Sequence, residues 1–322
     1  MALYDEDTLI TNGLFQSAAI LVLGGASYNT SVYLYKFPEP RPQTVFGHGY
    51  HETIGSSGAG KALNLNKLGL DVTFHGVIAD DEWGRKIRDY LFQEGVNFIY
   101  DLDPQGTKRH INLMDSNGGR ISIFIAHGSF EPQVDMQQIA AYIPQSDYIA
   151  LNVINYCRYL IPVIKQAQAT HPIPIWCDIH DYDGQNPYHQ DFIDAADVLF
   201  MSSDAMPDYK PFMERLIEEG KELVVCTHGR EGATALTARG EWVEVPIVDA
   251  YQRVDTNGAG DSFFSGVLYG HAQGYHIETC LRLGAIVSGL CITSKELAYP
   301  NLSAEIVAME YEKHYGESLG QG

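Results

Sequence analysis

The feature that most constrains the fold is a regular alternation of two kinds of segment from residue 70 onward. Residues 72–78 have the character of a β-strand, and residues 80–94 carry apolar side chains at spacings of three and four, as one face of a helix does. Similar strand-then-helix pairs occur at residues 148–168, 173–192 and 198–219. Repeated βα units with apolar strands predict an α/β fold, in which helices cover both faces of a mostly parallel central sheet.

Two stretches break this rhythm. Residues 31–54 hold two β-patterned runs around a proline-rich joint, and residues 108–126 hold two more around a Ser-Asn-Gly-Gly turn typical of hairpins. Strands without intervening helices have no place in a doubly wound sheet, so we expect a small separate sheet. Such a sheet beside a ligand crevice can be a lid, and decoration of a sheet edge is an equally good interpretation. We expect one domain over residues 1–322.

Charge and composition exclude several classes of protein. The chain has 21 Lys and Arg against 41 Asp and Glu, and the resulting net charge of −20 repels nucleic acid. No apolar run approaches the roughly 20 residues of a membrane span, and the first twenty residues lack the order of a signal peptide. The five cysteines contain no C-x-x-C pair, which favours unpaired thiols and a cytoplasmic location over disulfides or zinc.

The most informative motif is Asp-Thr-Asn-Gly-Ala-Gly-Asp at residues 255–261, ahead of an apolar helix. Gly258, Ala259 and Gly260 offer backbone N–H groups at a helix N-terminus, which favours a bound anion. Asp261 cannot bind that anion because like charges repel, so it fits a base that takes a proton from an attacking hydroxyl. This combination predicts phosphoryl transfer. The alternative is that Asp261 is an ordinary helix N-cap.

The same seven residues resemble the D-T-x-G-A-G-D signature of the ribokinase-like (PfkB-type) carbohydrate kinases. Other segments similar to that family are the opening strand at 25–38, the glycine-rich run at 55–60, the G-x-x-x-D-D-x-x-G run at 76–84 and T-x-G-x-x-G at 227–232. The resemblance covers nearly the whole chain. It implies a ribokinase-like core with a β lid, and transfer of the ATP γ-phosphate, with Mg²⁺, to a hydroxyl of a sugar, a nucleoside or a similar small alcohol.

The resemblance also implies roles for single residues. Asp261 becomes the base, and residues 258–260 become the anion hole. The nucleotide side consists of Thr227, Gly229, Gly232 and, near the phosphates, Arg230. The acceptor side consists of Asn29, Ser31, Gly58 and Gly60. Asn64 lies one helical turn beyond Gly60 on the same face and either reaches the acceptor or serves only its helix.

The sequence departs from the family pattern at three places. Ser31 stands where the family usually has Asp, and Gly60 stands where it has a substrate-binding Asn. Asp204 is the one carboxylate left where an Asn-x-x-Glu motif usually organises metal-bound water, so it is the candidate metal residue. The phosphate side is intact and the recognition side is altered. A sugar kinase is therefore the first hypothesis, a nucleoside kinase the second, and a ligand sensor without turnover the third.

Three further features remain open or are set aside. Residues 55–61 read G-x-x-x-x-G-K, but Ala62 replaces the metal-binding Ser or Thr of a P-loop, so a P-loop is not predicted. Asp178, at the end of strand 173–178, belongs to a His/Asp cluster that either lines the ligand crevice or binds a metal. The exposed edges of a lid sheet could pair with those of a second subunit, which makes a homodimer possible.

Overall fold

The computed structural model describes residues 17–319, so most of the segment considered as a signal peptide lies outside the described residues. Within that range, thirteen strands and nine α-helices follow one another. The strands are β1 (Ala19–Leu23), β2 (Ser27–Tyr33), β3 (Gly49–Gly55), β4 (Asp71–Ile78), β5 (Asn97–Leu102), β6 (Arg109–Met114), β7 (Arg120–Ala126), β8 (Tyr148–Asn152), β9 (Ile175–Asp178), β10 (Val198–Ser202), β11 (Leu223–Thr227), β12 (Ala233–Thr237) and β13 (Trp242–Val245). The helices are α1 (Ser57–Lys67), α2 (Glu82–Gln93), α3 (Met136–Tyr142), α4 (Asn155–Gln168), α5 (Gln190–Ala195), α6 (Lys210–Glu218), α7 (Ala259–Ala272), α8 (Ile277–Cys291) and α9 (Ala304–Tyr315).

The large sheet has nine strands in the order β13-β12-β11-β10-β9-β8-β1-β4-β5. All neighbours from β11 to β5 pair in parallel, and β12 and β13 add an antiparallel edge. Apolar side chains of α1, α2 and α7–α9 pack on one face, and those of α3–α6 pack on the other. The predicted α/β fold with helices on both faces is confirmed. Chain order reverses at β1, between β8 and β4, so a crevice is expected there at the carboxyl ends of the strands.

The small sheet is separate and has the order β3-β2-β6-β7, as the two irregular stretches predicted. The predicted bounds of its first half were wrong, because β2 begins at Ser27 and β3 only at Gly49. The cause lies in the polar face of β2, where Ser27, Asn29 and Ser31 are buried. A strand whose buried side is polar carries no apolar alternation to mark it.

The antiparallel edge formed by β12 and β13 was not predicted, because the repeated βα units indicate only parallel neighbours. The five cysteines are all free and buried, as expected of small core residues. Among residues 17–319, no helix is both long enough and apolar enough to cross a membrane.

Candidate active site

The glycine-rich motif forms the N-terminal end of α7. Gly258 adopts a left-handed conformation with φ of 82°, and a Cβ there would lie 2.5 Å from the Leu297 carbonyl oxygen, so both backbone shape and close packing require glycine. The first helical bond runs from the Ser262 N–H to the Gly258 carbonyl, at 2.9 Å. The N–H groups of the first turn therefore lie beyond the helical ladder, at the positive end of the helix dipole.

Two cavities meet at this helix end. A large cleft of about 800 Å³ lies between the carboxyl edge of the large sheet and the small sheet, and a small pocket of about 420 Å³ lies beside α7 and α8. The residues common to both linings are Thr227, Gly229, Thr256, Ala259 and Gly260. Asp261 lines the large cleft and not the small pocket. A group held at the helix end thus faces a ligand on either side.

Asp261 is the third residue of α7 and makes no capping bond, since Gly258 is the N-cap, so the N-cap alternative is wrong. Its Oδ1 accepts hydrogen bonds from Ser57 Oγ at 2.7 Å and from Lys61 Nζ at 2.6 Å. Its Oδ2 lies against Gly60, 2.8 Å from where a Cβ of that residue would stand. Within the described residues no side chain donates to Oδ2, which leaves this oxygen for a ligand in the cleft.

A second carboxylate, Asp178, stands at the end of β9. Its Oδ1 accepts from the backbone N–H of His180, and its Oδ2 lies 3.3 Å from both Lys61 Nζ and His180 Nδ1. Burial alone would raise the pKa of Asp178, but His180 and Lys61 outweigh it and hold the pKa well below its usual range. In turn the Asp178 carboxylate raises the pKa of His180, against the opposing effect of burial.

Lys61, on α1, lies between the two carboxylates and is 1% exposed. Burial alone would lower its pKa, but Asp261 and Asp178 raise it above the ordinary value, so the ammonium stays charged. This residue was not among the predicted site residues. The signal for it was the final Lys of the G-x-x-x-x-G-K run, which was considered only as part of a P-loop.

The predicted acceptor residues divide into two groups. Asn29 and Asp178 line the large cleft, whereas Gly60 is buried against Asp261 and does not line it. Asn64 does not face it, because the side chain is fully buried, donates to the Gly60 carbonyl and accepts from Ser262 Oγ. The structure therefore does not support a substrate contact by Asn64. It supports the alternative, in which Asn64 serves its own helix.

Gly58 and Ser31 do not line the cleft either. A Cβ on Gly58 would lie 2.8 Å from backbone atoms of Gly25, so this glycine allows α1 to approach the loop after β1. Ser31 is buried on the polar face of β2, one pleat beyond the cleft-lining Asn29. Neither residue is placed for direct contact with an acceptor, and both support the elements that hold the site.

The predicted nucleotide residues Thr227, Gly229, Arg230 and Gly232 all line the small pocket. Gly232 has φ of 100°, and a Cβ there would overlap the Val245 carbonyl oxygen at 2.0 Å. The opposite wall is mainly apolar and includes Val245–Val248, Phe263, Ala285, Gly289 and Ile292. An apolar slot that opens onto a helix N-terminus suits a flat base joined to phosphates.

The small sheet and the residue before β6 contribute basic side chains to the cleft. Lys108, His110 and Arg120 line it, and Arg120 Nη1 donates to Asn257 Oδ1 at 3.1 Å, so the sheet touches the loop that leads into α7. Arg109 instead stacks on Trp83, 3.5 Å from the ring centroid. The sequence alone could not show that Lys108 lines the cleft while Arg109 does not. The alternation of side chains along a strand assigns them to the two faces of a sheet only once the pairing of that strand is known.

The candidate metal residue Asp204 is exposed and lines the cleft. Among residues 17–319 there is no group of three or more His, Cys, Asp or Glu side chains that could hold a metal ion by themselves. The structure therefore does not support a metal site at the cluster around Asp178. It supports the other interpretation, in which this cluster lines the cleft.

Comparison with known proteins decides the family. The sequence profile of the pfkB family carbohydrate kinases matches residues 17–304. The chain belongs to this family. It is thus a kinase that phosphorylates a hydroxyl of a sugar or sugar-like molecule with ATP, and a nucleoside kinase is not favoured over it.

Similar members of the pfkB family include acarbose 7(IV)-phosphotransferase from an Actinoplanes strain, 32% identical over 282 residues that cover 85% of this chain and 92% of that protein. Ribokinase from Bacillus subtilis is 27% identical and covers 85% of this chain and 93% of its own. Among solved structures, the microbiome-derived acarbose kinase Mak1 superposes with a TM-score of 0.80 at 26% identity, over 94% of this chain and 100% of that one.

Proposed function

We propose that this pfkB-family kinase phosphorylates a sugar of more than one ring, with Asp261 as general base and the N–H groups of residues 258–260 as the anion hole. The observation that carries the proposal is the meeting of two cavities at one helix end, with Asp261 on the side of the large cleft alone. ATP enters the small pocket and presents its γ-phosphate at the end of α7. The acceptor occupies the large cleft with one hydroxyl at Asp261 Oδ2.

The reaction is an in-line displacement at phosphorus. The acceptor oxygen forms a bond to the γ-phosphorus, while the bond from that phosphorus to the β,γ-bridging oxygen breaks and its electron pair leaves with ADP. The hydroxyl proton moves to Asp261 Oδ2. The N–H groups of the α7 end stabilise the charge on the transferring group, and the small sheet acts as a lid that excludes water.

Three observations support an acceptor larger than one ring. The cleft, at about 800 Å³, is in the upper part of the range of roughly 300–1,000 Å³ for small-molecule sites. It extends from Asp261 to Phe124 of the small sheet, an exposed aromatic ring on which a sugar face can stack. Two of the similar proteins are named as acarbose kinases.

Magnesium belongs to the proposal as the counterion of ATP. Mg²⁺ keeps several waters and takes one or two carboxylates together with phosphate oxygens, so a ready-made protein cage is not needed. The exposed Asp204 carboxylate on the cleft wall fits that role. Bound there, the ion would neutralise phosphate charge in a protein with a net charge of −20.

Location and assembly complete the proposal. Five free cysteines suit the reducing cytoplasm. The outer strand β7 of the small sheet is exposed along almost its whole length and carries Ile121, Ile123 and Ile125, so we propose a homodimer through this sheet. Light scattering after gel filtration tests the dimer, and replacing Ile123 with Lys should give monomers.

The test of the acceptor is an ADP-release assay over a matched panel of acarbose, maltotriose, ribose, fructose and inosine, each with and without Mg²⁺. We expect kcat/KM for the oligosaccharides to exceed that for ribose by at least about tenfold, roughly 1.4 kcal/mol of transition-state binding. Equal or better use of ribose or inosine would contradict the acceptor class. Phosphorylation of none of them, with ATP binding intact, would contradict the function.

A further inference from the structure

Lys61 is a buried cation that takes no part in the phosphoryl transfer proposed above. Its side chain is 1% exposed, and its Nζ lies 2.6 Å from Asp261 Oδ1, 3.3 Å from Asp178 Oδ2 and 3.4 Å from Ser57 Oγ. Removing an ammonium from water is costly unless opposite charges replace the hydration. The position of Lys61 therefore depends on the two carboxylates, and the positions of these carboxylates depend on Lys61.

The surroundings of Lys61 come from three elements. α1 supplies Ser57, α7 supplies Asp261, and β9 supplies Asp178 and the buried Cys177 thiol. His180 follows β9 by two residues and contacts Asp178. The ring of Phe264 from α7 closes the pocket, with its centroid 4.9 Å from Nζ. The ammonium contacts side-chain oxygens of Ser57, Asp178 and Asp261, so the Lys of the G-x-x-x-x-G-K run is turned toward the base.

We propose that Lys61 is a positioning residue for the general base, a role that rests on the proposed function of Asp261. Together with Ser57 it engages Oδ1, which fixes the rotation of the carboxylate and directs Oδ2 toward the acceptor hydroxyl. Lys61 keeps all of its protons throughout transfer, and the proton of the acceptor goes to Oδ2.

Asp178 is the second carboxylate that contacts Lys61. Its Oδ2 lies 3.3 Å from Lys61 Nζ and 3.3 Å from His180 Nδ1, so a second carboxylate holds the ammonium. His180 itself is held in a left-handed conformation with φ of 55°, which is uncommon for a residue with a side chain and which is retained where surrounding contacts impose it. Asp178 thus helps to orient the Asp261 carboxylate by holding Lys61 in place.

The test is Lys61→Met, with Lys67→Met as the matched control. Lys67 is on the same helix and pairs with Glu94 away from the cleft, so its replacement should leave turnover within about twofold. For Lys61→Met we expect kcat to fall about 10²-fold while KM for the acceptor and binding of a non-hydrolysable ATP analogue change less than threefold.

A folded Lys61→Met enzyme with turnover within threefold of the parent would overturn the proposal, and so would a loss of turnover accompanied by a change of more than threefold in the acceptor KM or in binding of the ATP analogue. Should that variant not fold, Lys61→Met combined with Asp178→Asn removes both members of the Lys61–Asp178 pair, so that Asp178 is not left as a buried charge without its ammonium. We expect this double variant to remain low in kcat. Recovery to the parental kcat would show that Lys61 only balances Asp178. These results are separate from Asp261→Asn, whose full activity would contradict the proposed function itself.

Discussion

Gly60 and Asp261 are so close that a Cβ on the glycine would stand 2.8 Å from Asp261 Oδ2 and 3.1 Å from its Cβ. The carboxylate, engaged on the α1 side by Lys61 and Ser57, fills the space that a side chain at position 60 would take. The family pattern usually has Asn at this position. In this structure the Asp261 carboxylate leaves no room for an Asn side chain at position 60.

Replacing Gly60 with Ala should displace the carboxylate. We expect kcat to fall by about 10- to 100-fold, because a misplacement of about 1 Å in a reacting group has an effect of that size. Binding of an ATP analogue, measured by calorimetry, should persist. Gly49→Ala is the control, since a Cβ there meets only Tyr33 Cδ2 at 4.0 Å. Parental turnover in Gly60→Ala would show that the close contact has no role.

Arg120 links the small sheet to the loop before α7 through Asn257. Replacing Arg120 with Met removes this contact and one cation from the cleft, so we expect kcat/KM for the acceptor to fall about tenfold, the effect of losing a charged hydrogen bond of roughly 1.5 kcal/mol. Steady-state kinetics measure this directly. Arg41→Met removes the same charge from an exposed loop and should have no effect. Equal kinetics in the two variants would contradict a role for Arg120.

His110 makes stability depend on pH. Burial, with smaller effects from Lys108, Arg120 and His127, lowers the pKa of His110 from 6.5 to about 4 in the folded protein. Between these values the unfolded chain binds a proton that the native protein does not, so stability falls as the pH drops from about 6.5 to about 4. The melting temperature should therefore decline over this range, and less steeply in His110→Gln. An identical decline in both proteins would contradict this assignment.

The overall architecture was predictable because the strands of the large sheet are apolar and separated by helical periodicity, as in residues 72–94. The end of α7 was predictable because Gly258 is required by a left-handed backbone conformation that few other residues adopt. The direction in which individual side chains point was not predictable. Asn64 and Lys61 lie three residues apart on α1, yet one serves helix packing and the other lies at Asp261. Only the packing of α7 against α1 distinguishes them, and that contact is about 200 residues away in sequence.

Ser56 offers a test of backbone strain at the site. It precedes α1 with φ of 81° and ψ of 147°, a conformation natural only to glycine. Ser56→Gly should raise the free energy of unfolding by about 1 kcal/mol. Chemical denaturation measures this change. Ser116→Gly, at a turn residue without positive φ, should give no gain. A loss of stability in Ser56→Gly would show that the serine side chain outweighs the strain.

The central claim is that Asp261 accepts the proton of the acceptor hydroxyl. Asp261→Asn keeps the shape of the side chain and removes its basicity. The most direct measurement is kcat of this variant with a saturating acceptor, alongside calorimetric binding of an ATP analogue. The predicted result is a fall in kcat of roughly 10²- to 10⁴-fold with nucleotide affinity retained. Near-normal turnover would contradict the claim.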